Sequence, residues 1–482
     1  MTVSLQRPKF YGRAAALHDL HTHVAAIRAS GRGRLVTVEG SRQVGKSRLL
    51  TEFTERARLP YLYYTAPSTE VPARHMGAWP LAAVHSTSRL PDAETRFAQP
   101  PRDWSDAFDR LASACRDVPS VVVLDNVAAA RAAEPAFDEI LASHWQRRLR
   151  GCPLLLVVIG PVAKKTAAAM PTSALSDVHA MKLLPLNPAE CGHALGIRTD
   201  PLAAFDAYLV TSGQPRLVAG CAEAGDPGEY VRTQLLDENS DLVVMGQRLV
   251  SSEVAESASA RLVLAAIAAE TVAFTSFSRI VAHLPTTGVT AQTAATRALK
   301  LLTDDRQIVS IQVPVGAPKN TKSRRYVVAD SYLRFWHFFV QPHLEQIARG
   351  RPDIAIDAFD ARWSRWRSIA ITPVVHESLR RLTLTMPEFT RAESVGGWWN
   401  REGFEYDLVV SAKGAQPALA VGAIKWSADE PFTGADQARL DEARTVVPTA
   451  ARAKRTVVCP AGVDRGADVE LIVEPAELLA AW

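Results

Sequence analysis

The stretch that decides the fold is Leu35-Val36-Thr37-Val38-Glu39-Gly40-Ser41-Arg42-Gln43-Val44-Gly45-Lys46-Ser47. Leu35 to Glu39 is apolar and β-branched, the pattern of a strand covered on both faces. Gly40 to Ser47 then fits GxxxxGK[ST], and helically spaced Leu49, Leu50 and Phe53 follow. Strand, glycine-rich turn and helix in that order are what this motif requires. The glycines let successive N–H groups wrap a phosphate, and the helix dipole favours the anion. Lys46 reaches β- and γ-phosphate oxygens, and Ser47 offers a hydroxyl to Mg²⁺. The expected nucleotide contacts are therefore Gly40, Ser41, Arg42, Gln43, Val44, Gly45, Lys46, Ser47 and the adjoining Arg48, with ATP or ADP plus Mg²⁺ as cofactors.

Working outward, Pro60–Tyr64, Ser120–Leu124 and Leu154–Ile159 also read as strands, separated by helical patterns. Strands alternating with helices indicate a parallel, helix-covered sheet. The second of these runs ends Val121-Val122-Val123-Leu124-Asp125-Asn126, which offers a carboxylate at the strand's C-terminal edge. Asp125 there is suited to holding a Mg²⁺ shell.

The chain has 482 residues, of which 47% are hydrophobic and 22% charged, with a net charge of +4. At roughly 150 residues per domain this predicts about three units. The composition excludes wholesale disorder, a collagen-like repeat and a disulfide scaffold. The mild positive charge permits a nucleic-acid partner without demanding one. Five scattered cysteines read as reduced thiols, and no apolar stretch is long enough for a membrane span. Met1–Arg7 has no apolar core of a signal peptide, so a cytoplasmic location with no membrane partner is expected.

Downstream, Asn187-Pro188-Ala189-Glu190 starts a helical region, and Gly225-Asp226-Pro227-Gly228 has hinge character. Helical patterns at 261–267, 275–284 and 290–302 precede two strand runs joined by a basic turn. Three helices and a hairpin match a winged helix. Its Lys319, Lys322, Arg324 and Arg325 suit phosphate contacts on DNA. Residues 370–482 alternate helix and strand as a small α/β unit. Trp363 and Trp366 at helical spacing read as a packing face, and His18, His21 and His23 as a solvated one.

The chain resembles the archaeal-type P-loop ATPases of the AAA/STAND superfamily. Tyr11-Gly12-Arg13, the P-loop, Asp125 and Gly213-Gln214-Pro215 carry the likeness. The resemblance implies that Tyr11, Gly12 and Arg13 pack near adenine and that Pro215 opens a nucleotide-sensing helix. Asp330-Ser331-Tyr332-Leu333-Arg334-Phe335-Trp336 resembles the join to a DUF234 domain. Glu377, Gly397-Trp398-Trp399, Glu405-Tyr406-Asp407 and Ile424-Lys425-Trp426 resemble that domain's nuclease-like motifs of PD-(D/E)xK type. The expected fold class is α/β: a P-loop NTPase core (1–180), a helical lid (181–250), a winged helix (251–340) and a DUF234-like, degenerate nuclease-fold domain (341–482).

Departures from the pattern shape the functional expectation. Asn126 stands where the resemblance implies a Glu that polarises the attacking water. Asn positions water but accepts no proton, and losing a general base costs about 10²–10⁴ in rate. Lys46, Asp125 and Asn126 are the candidate catalytic residues. Pro161 replaces a polar sensor after the fourth strand, and Ala174–Val178 replaces a Gly-Arg. Ala423 stands where a metal-binding Glu is implied, leaving Glu377, Asp407 and Lys425 as a degenerate nuclease-like set. The expected function is an ATP-binding protein, a weak or regulated ATPase coupled to DNA or protein binding, self-association included. The alternatives are a STAND-like switch or scaffold with little hydrolysis, and a Mg²⁺-dependent DNA nuclease.

Overall fold

The computed structural model describes residues 9–41, 43–160, 178–196, 200–254, 257–318, 321–412 and 417–482. Arg42, Pro161, 174–177 and Lys319, each singled out above, lie outside them. The chain divides into two units, Met1–Pro185 and Leu186–Trp482.

In the first unit β1 (Arg34–Glu39), β2 (Tyr61–Thr65), β3 (Ser120–Asp125), β4 (Leu154–Ile159) and β5 (Val178–Lys182) form a parallel sheet in the order β2-β3-β4-β1-β5. Alternate side chains of each strand feed opposite cores, which is why the runs are apolar throughout. Val36, Val38, Val121, Val123, Leu155 and Val157 pack with residues of the helices Ala14–Ser30 and Lys46–Ala57. Leu35, Val122, Leu124, Leu156 and Val158 face an aromatic layer that includes Trp79, Trp104, Phe108 and Phe137. Tyr64 stacks on Trp79 at 4.4 Å between ring centroids.

β5 lies where the apolar strand signal fades in the sequence. It is an edge strand with exposed His179 and Ala180, so it needs an apolar residue only at buried Met181. β1 has β4 on one side and β5 on the other, so the sheet grows both ways from it. Such a reversal opens a crevice beyond the carboxyl ends of the strands, where ligands of open α/β sheets bind.

The second unit opens with helices from Pro188 to Val254, and the helices Ala258–Ala269, Phe277–Ala282 and Gly288–Lys300 follow. β6 (Thr275–Ser276), β7 (Val309–Gln312) and β8 (Arg325–Val328) pair in the order β6-β8-β7. β9 (Ala392–Trp399), β10 (Glu405–Ala412), β11 (Ala418–Ile424), β12 (Lys454–Val458) and β13 (Leu471–Ile472) make a mixed sheet in the order β13-β12-β11-β10-β9. The stretch after Asp330 is an internal brace. Tyr332 donates to the Leu242 carbonyl at 2.9 Å and Trp336 to that of Val243 at 2.9 Å. Trp363 and Trp366 stack in the same aromatic cluster as Phe335 and Phe339, as a packing face should. No helix among the described residues is long and apolar enough to cross a membrane.

One turn in this unit is fixed by a close backbone approach. Gly213 has φ +66, and a Cβ there would sit 1.7 Å from the Leu186 carbonyl oxygen. Gly196 is also left-handed, at φ +74, but has open space around it. Gly213→Ala is therefore expected to lose about 2–4 kcal/mol and Gly196→Ala only about 1 kcal/mol. Urea denaturation followed by tryptophan fluorescence checks this, and equal losses would contradict the turn.

Candidate phosphate-binding site

The loop after β1 is shaped by its glycines and by what crosses beneath it. At Gly40 a Cβ would lie 2.4 Å from the Leu183 carbonyl oxygen and 3.0 Å from Val44. Gln43 and Gly45 have φ 65 and 90, and Gly45 caps the helix that begins at Lys46. Val44 is fully buried and anchors the loop's centre. Ser41, Gln43 and Ser47 are exposed around it.

Lys46 folds back over the loop. Its ammonium donates to the carbonyls of Gly40 (2.8 Å) and Ser41 (2.7 Å). The cation is thereby held across the loop mouth, where an anion would meet both it and the first amides of the helix.

Tyr11-Gly12-Arg13 also acts on this loop. Arg13 is buried, has φ 65 and stands at the N-cap of the helix Ala14–Ser30. Its guanidinium donates to the Val44 carbonyl at 3.0 Å and to the Leu184 carbonyl. The arginine thus ties the loop to the segment following β5. Gly12 is exposed and Tyr11 half-buried. Arg48 pairs with Glu52 at 3.2 Å and lies over the Phe10 ring.

Asp125 ends β3, paired with Thr65 of β2. Tyr63, two residues earlier on β2, donates its phenol to Asp125 Oδ2 at 2.9 Å and lies 3.5 Å from the Ser47 carbonyl. Burial first, then the Asp125 carboxylate, pushes that phenol well above its ordinary pKa, so it remains a donor. The sequence reading missed Tyr63 because a tyrosine in a strand reads as core. The structure brings the P-loop helix and Asp125 together through it.

Asn126 has φ 57, a conformation Asn tolerates better than most residues. Its backbone N–H donates to Asp125 Oδ1 at 2.7 Å. Its side-chain Nδ2 donates to the Ala66 carbonyl at 2.8 Å and to Ser68 Oγ at 3.3 Å. Both amide hydrogens are thereby engaged, and only Oδ1 is left to orient a water.

In the second unit Pro215 opens the helix Pro215–Ala224. A cleft of about 720 Å³ holds Asp407, Lys425, Asp436 and Arg439. Asp407 opens to solvent there, yet the protein packed around it raises its carboxyl above the usual range. Glu377 does not join this set. It pairs with Arg380 at 2.9 Å and Arg381 at 3.2 Å and lines a different cavity. The carboxylate beside Lys425 is instead Asp436, at 2.9 Å. Its signal was legible as Thr433-Gly434-Ala435-Asp436, a capping box at the start of the helix Gly434–Val446. Among the described residues no group of three or more His, Cys, Asp or Glu is arranged to hold a metal. On the hairpin, Lys322 and Arg324 are exposed. Arg325 is engaged by Glu405 and lies over the Trp399 ring at 4.5 Å, so it leaves the set of free phosphate contacts.

Residues 336–439 match DUF234, a family described as archaea bacterial proteins of unknown function. The C-terminal part of the chain carries this domain. An uncharacterized protein of Methanocaldococcus jannaschii is 26% identical over 120 residues, 25% of this chain and 26% of that protein. The chain thus spans about a quarter of that relative's length. Among solved structures, a Walker-type ATPase of Pyrococcus abyssi aligns over 69% of this chain and 98% of its own, at 14% identity and TM-score 0.46. The ORC2 protein of Aeropyrum pernix, solved as ADPNP–ADP complexes, aligns over 74% and 97%, at 14% identity and TM-score 0.42. The ORC1 protein of the same organism, solved with DNA, aligns over 73% and 96%, at 16% identity and TM-score 0.35.

Arg13 carries a testable structural load. Arg13→Met strips donors from the Val44 and Leu184 carbonyls, which is expected to cost about 1–3 kcal/mol. Limited proteolysis checks the location of the effect. Faster cleavage within 40–48 is expected, and cleavage spread evenly over the chain would contradict the tie.

Proposed function

We propose that the chain binds ATP or ADP with Mg²⁺ at the loop Gly40–Ser47 and uses the bound state to control contacts made by its second unit. The observation that carries this is the Lys46 ammonium held on the Gly40 and Ser41 carbonyls at the helix start. Gly40, Ser41, Gln43, Val44, Gly45 and Lys46 would supply the amides and charge for the phosphates. Ser47 and Asp125, aligned through Tyr63, would hold Mg²⁺.

A switch with slow hydrolysis is favoured over a fast ATPase by Asn126. Its amide hydrogens are spent on Ala66 and Ser68, and it offers no carboxylate to take a proton from water. The domain reading that goes with this keeps residues up to Pro185 as the nucleotide core, with helices to Val254 as a lid. The helices from Ala258 together with β6, β7 and β8 would form a winged helix, ahead of the DUF234 domain. DNA is the partner that the exposed Lys322 and Arg324 suit.

Mass spectrometry of the purified chain and calorimetry with Mg·ADP test the site. Wild type is expected to bind and Lys46→Ala to bind at least tenfold more weakly; equal affinities would remove the assignment. For the hairpin, Lys322→Ala with Arg324→Ala is expected to lower the salt dependence of DNA binding by about two units of log slope. An unchanged slope would retire it as a DNA contact.

A further inference from the structure

The hairpin of β7 and β8 is docked on the C-terminal sheet. After β7, the Val315 N–H donates to the Gly397 carbonyl of β9 at 3.0 Å. Before β8, the Ser323 carbonyl accepts from the Trp399 indole at 3.1 Å.

One hairpin side chain is held by the same sheet. Arg325 opens β8, the middle strand of its own sheet, and lies opposite Ser276 of β6 and Gln312 of β7. Its main chain is thus fixed from both sides, and its side chain is 16% exposed. Glu405 and Trp399 are directly opposed on β10 and β9, which puts both side chains on one face of the C-terminal sheet. Arg325 meets them together. Its guanidinium lies over the Trp399 ring at 4.5 Å and pairs with the Glu405 carboxylate. The hydrogen bond from Arg325 holds the Glu405 carboxyl below its usual range, and the charges of Arg279 and Arg439 add to this.

The two partners hold Arg325 differently. A ring beneath a guanidinium fixes its plane and leaves the in-plane N–H donors open. Those donors suit a carboxylate or a phosphate with the same fork geometry. Glu405 fills that place with a side chain 54% exposed, and a pair so open to water is weakly held. A phosphate can therefore take its place while Trp399, tied to Ser323, stays.

We propose that Glu405 is a built-in competitor for DNA phosphate: while its carboxylate holds Arg325, the hairpin meets the DNA backbone with one cation fewer. This rests on the reading of the hairpin as a DNA contact. It puts control of that contact in the C-terminal sheet, since Trp399 and Glu405 both lie within the residues that match DUF234.

The test measures the affinity of the full chain for a DNA duplex across a range of salt concentrations. Glu405→Gln keeps the shape of the side chain and removes its charge. It is expected to bind about threefold or more tighter near 0.1 M salt and to steepen the log–log salt slope by about 0.9, the value of one more neutralised phosphate. Glu402→Gln removes an exposed charge from the turn before β10, where Asn400 at 3.5 Å is its partner, and is expected to leave the slope unchanged. Arg325→Met alone is expected to change little, and added to Glu405→Gln it is expected to cancel the gain. If Arg325→Met does not fold, the comparison of Glu405→Gln with Glu402→Gln carries the test alone. An unchanged slope for Glu405→Gln, while Lys322→Ala with Arg324→Ala still lowers it, would overturn the competitor and leave the hairpin as a DNA contact. An equal gain from Glu402→Gln, or a gain that survives Arg325→Met, would overturn it too. If neither Glu405→Gln nor the Lys322 and Arg324 pair moves the slope, the hairpin reading falls with it.

Discussion

The first unit depends on how closely its main chain is packed where β1 ends. Gly40 passes so near the Leu183 carbonyl that no side chain fits between them. Leu183 follows β5, the edge strand paired to β1, and its own N–H donates to the Glu39 carbonyl at 2.7 Å. Arg13 then draws Val44 and Leu184 together from the other side. Sheet edge, loop and first helix are thus one object. On the proposed reading, such a tied loop would let a row of backbone N–H groups meet an anion without the cost of ordering them at the moment of binding.

Much of this was legible in the sequence. Buried parallel strands must be apolar on both faces, so β1, β2, β3 and β4 declared themselves, as did the glycine turn between β1 and its helix. β5 did not, because only Met181 of it is buried and His179-Ala180-Met181-Lys182 offers little periodicity. β9 was hidden in a different way. Its Ser394, Gly396 and Gly397 lower strand propensity, and pairing with β10 supplies the stability that the local sequence lacks.

The site was legible in its residue types and less so in their partnerships. The motif proposes roles for Lys46 and Asp125 but is silent on Tyr63, whose phenol donates to Asp125 and lies 3.5 Å from the Ser47 carbonyl, from a neighbouring strand. Asp436 is the same lesson in the second unit. The place of the missing carboxylate was sought by spacing from Lys425 along the chain. The structure brings a carboxylate to that lysine from the following helix instead. Side chains that meet across elements leave no periodic trace. Arg325, singled out by its charge, and Glu377, singled out by resemblance to a nuclease-like motif, are both occupied by neighbours.

The central claim is that the amides of Gly40–Ser47 are the groups that grip a nucleotide's phosphates. Amide hydrogen–deuterium exchange of the full chain, with and without saturating Mg·ADP, measures those groups directly. The account predicts that exchange slows most sharply in peptides spanning 40–48, with a smaller effect around Asp125. Exchange in that loop that is unchanged by Mg·ADP would contradict it.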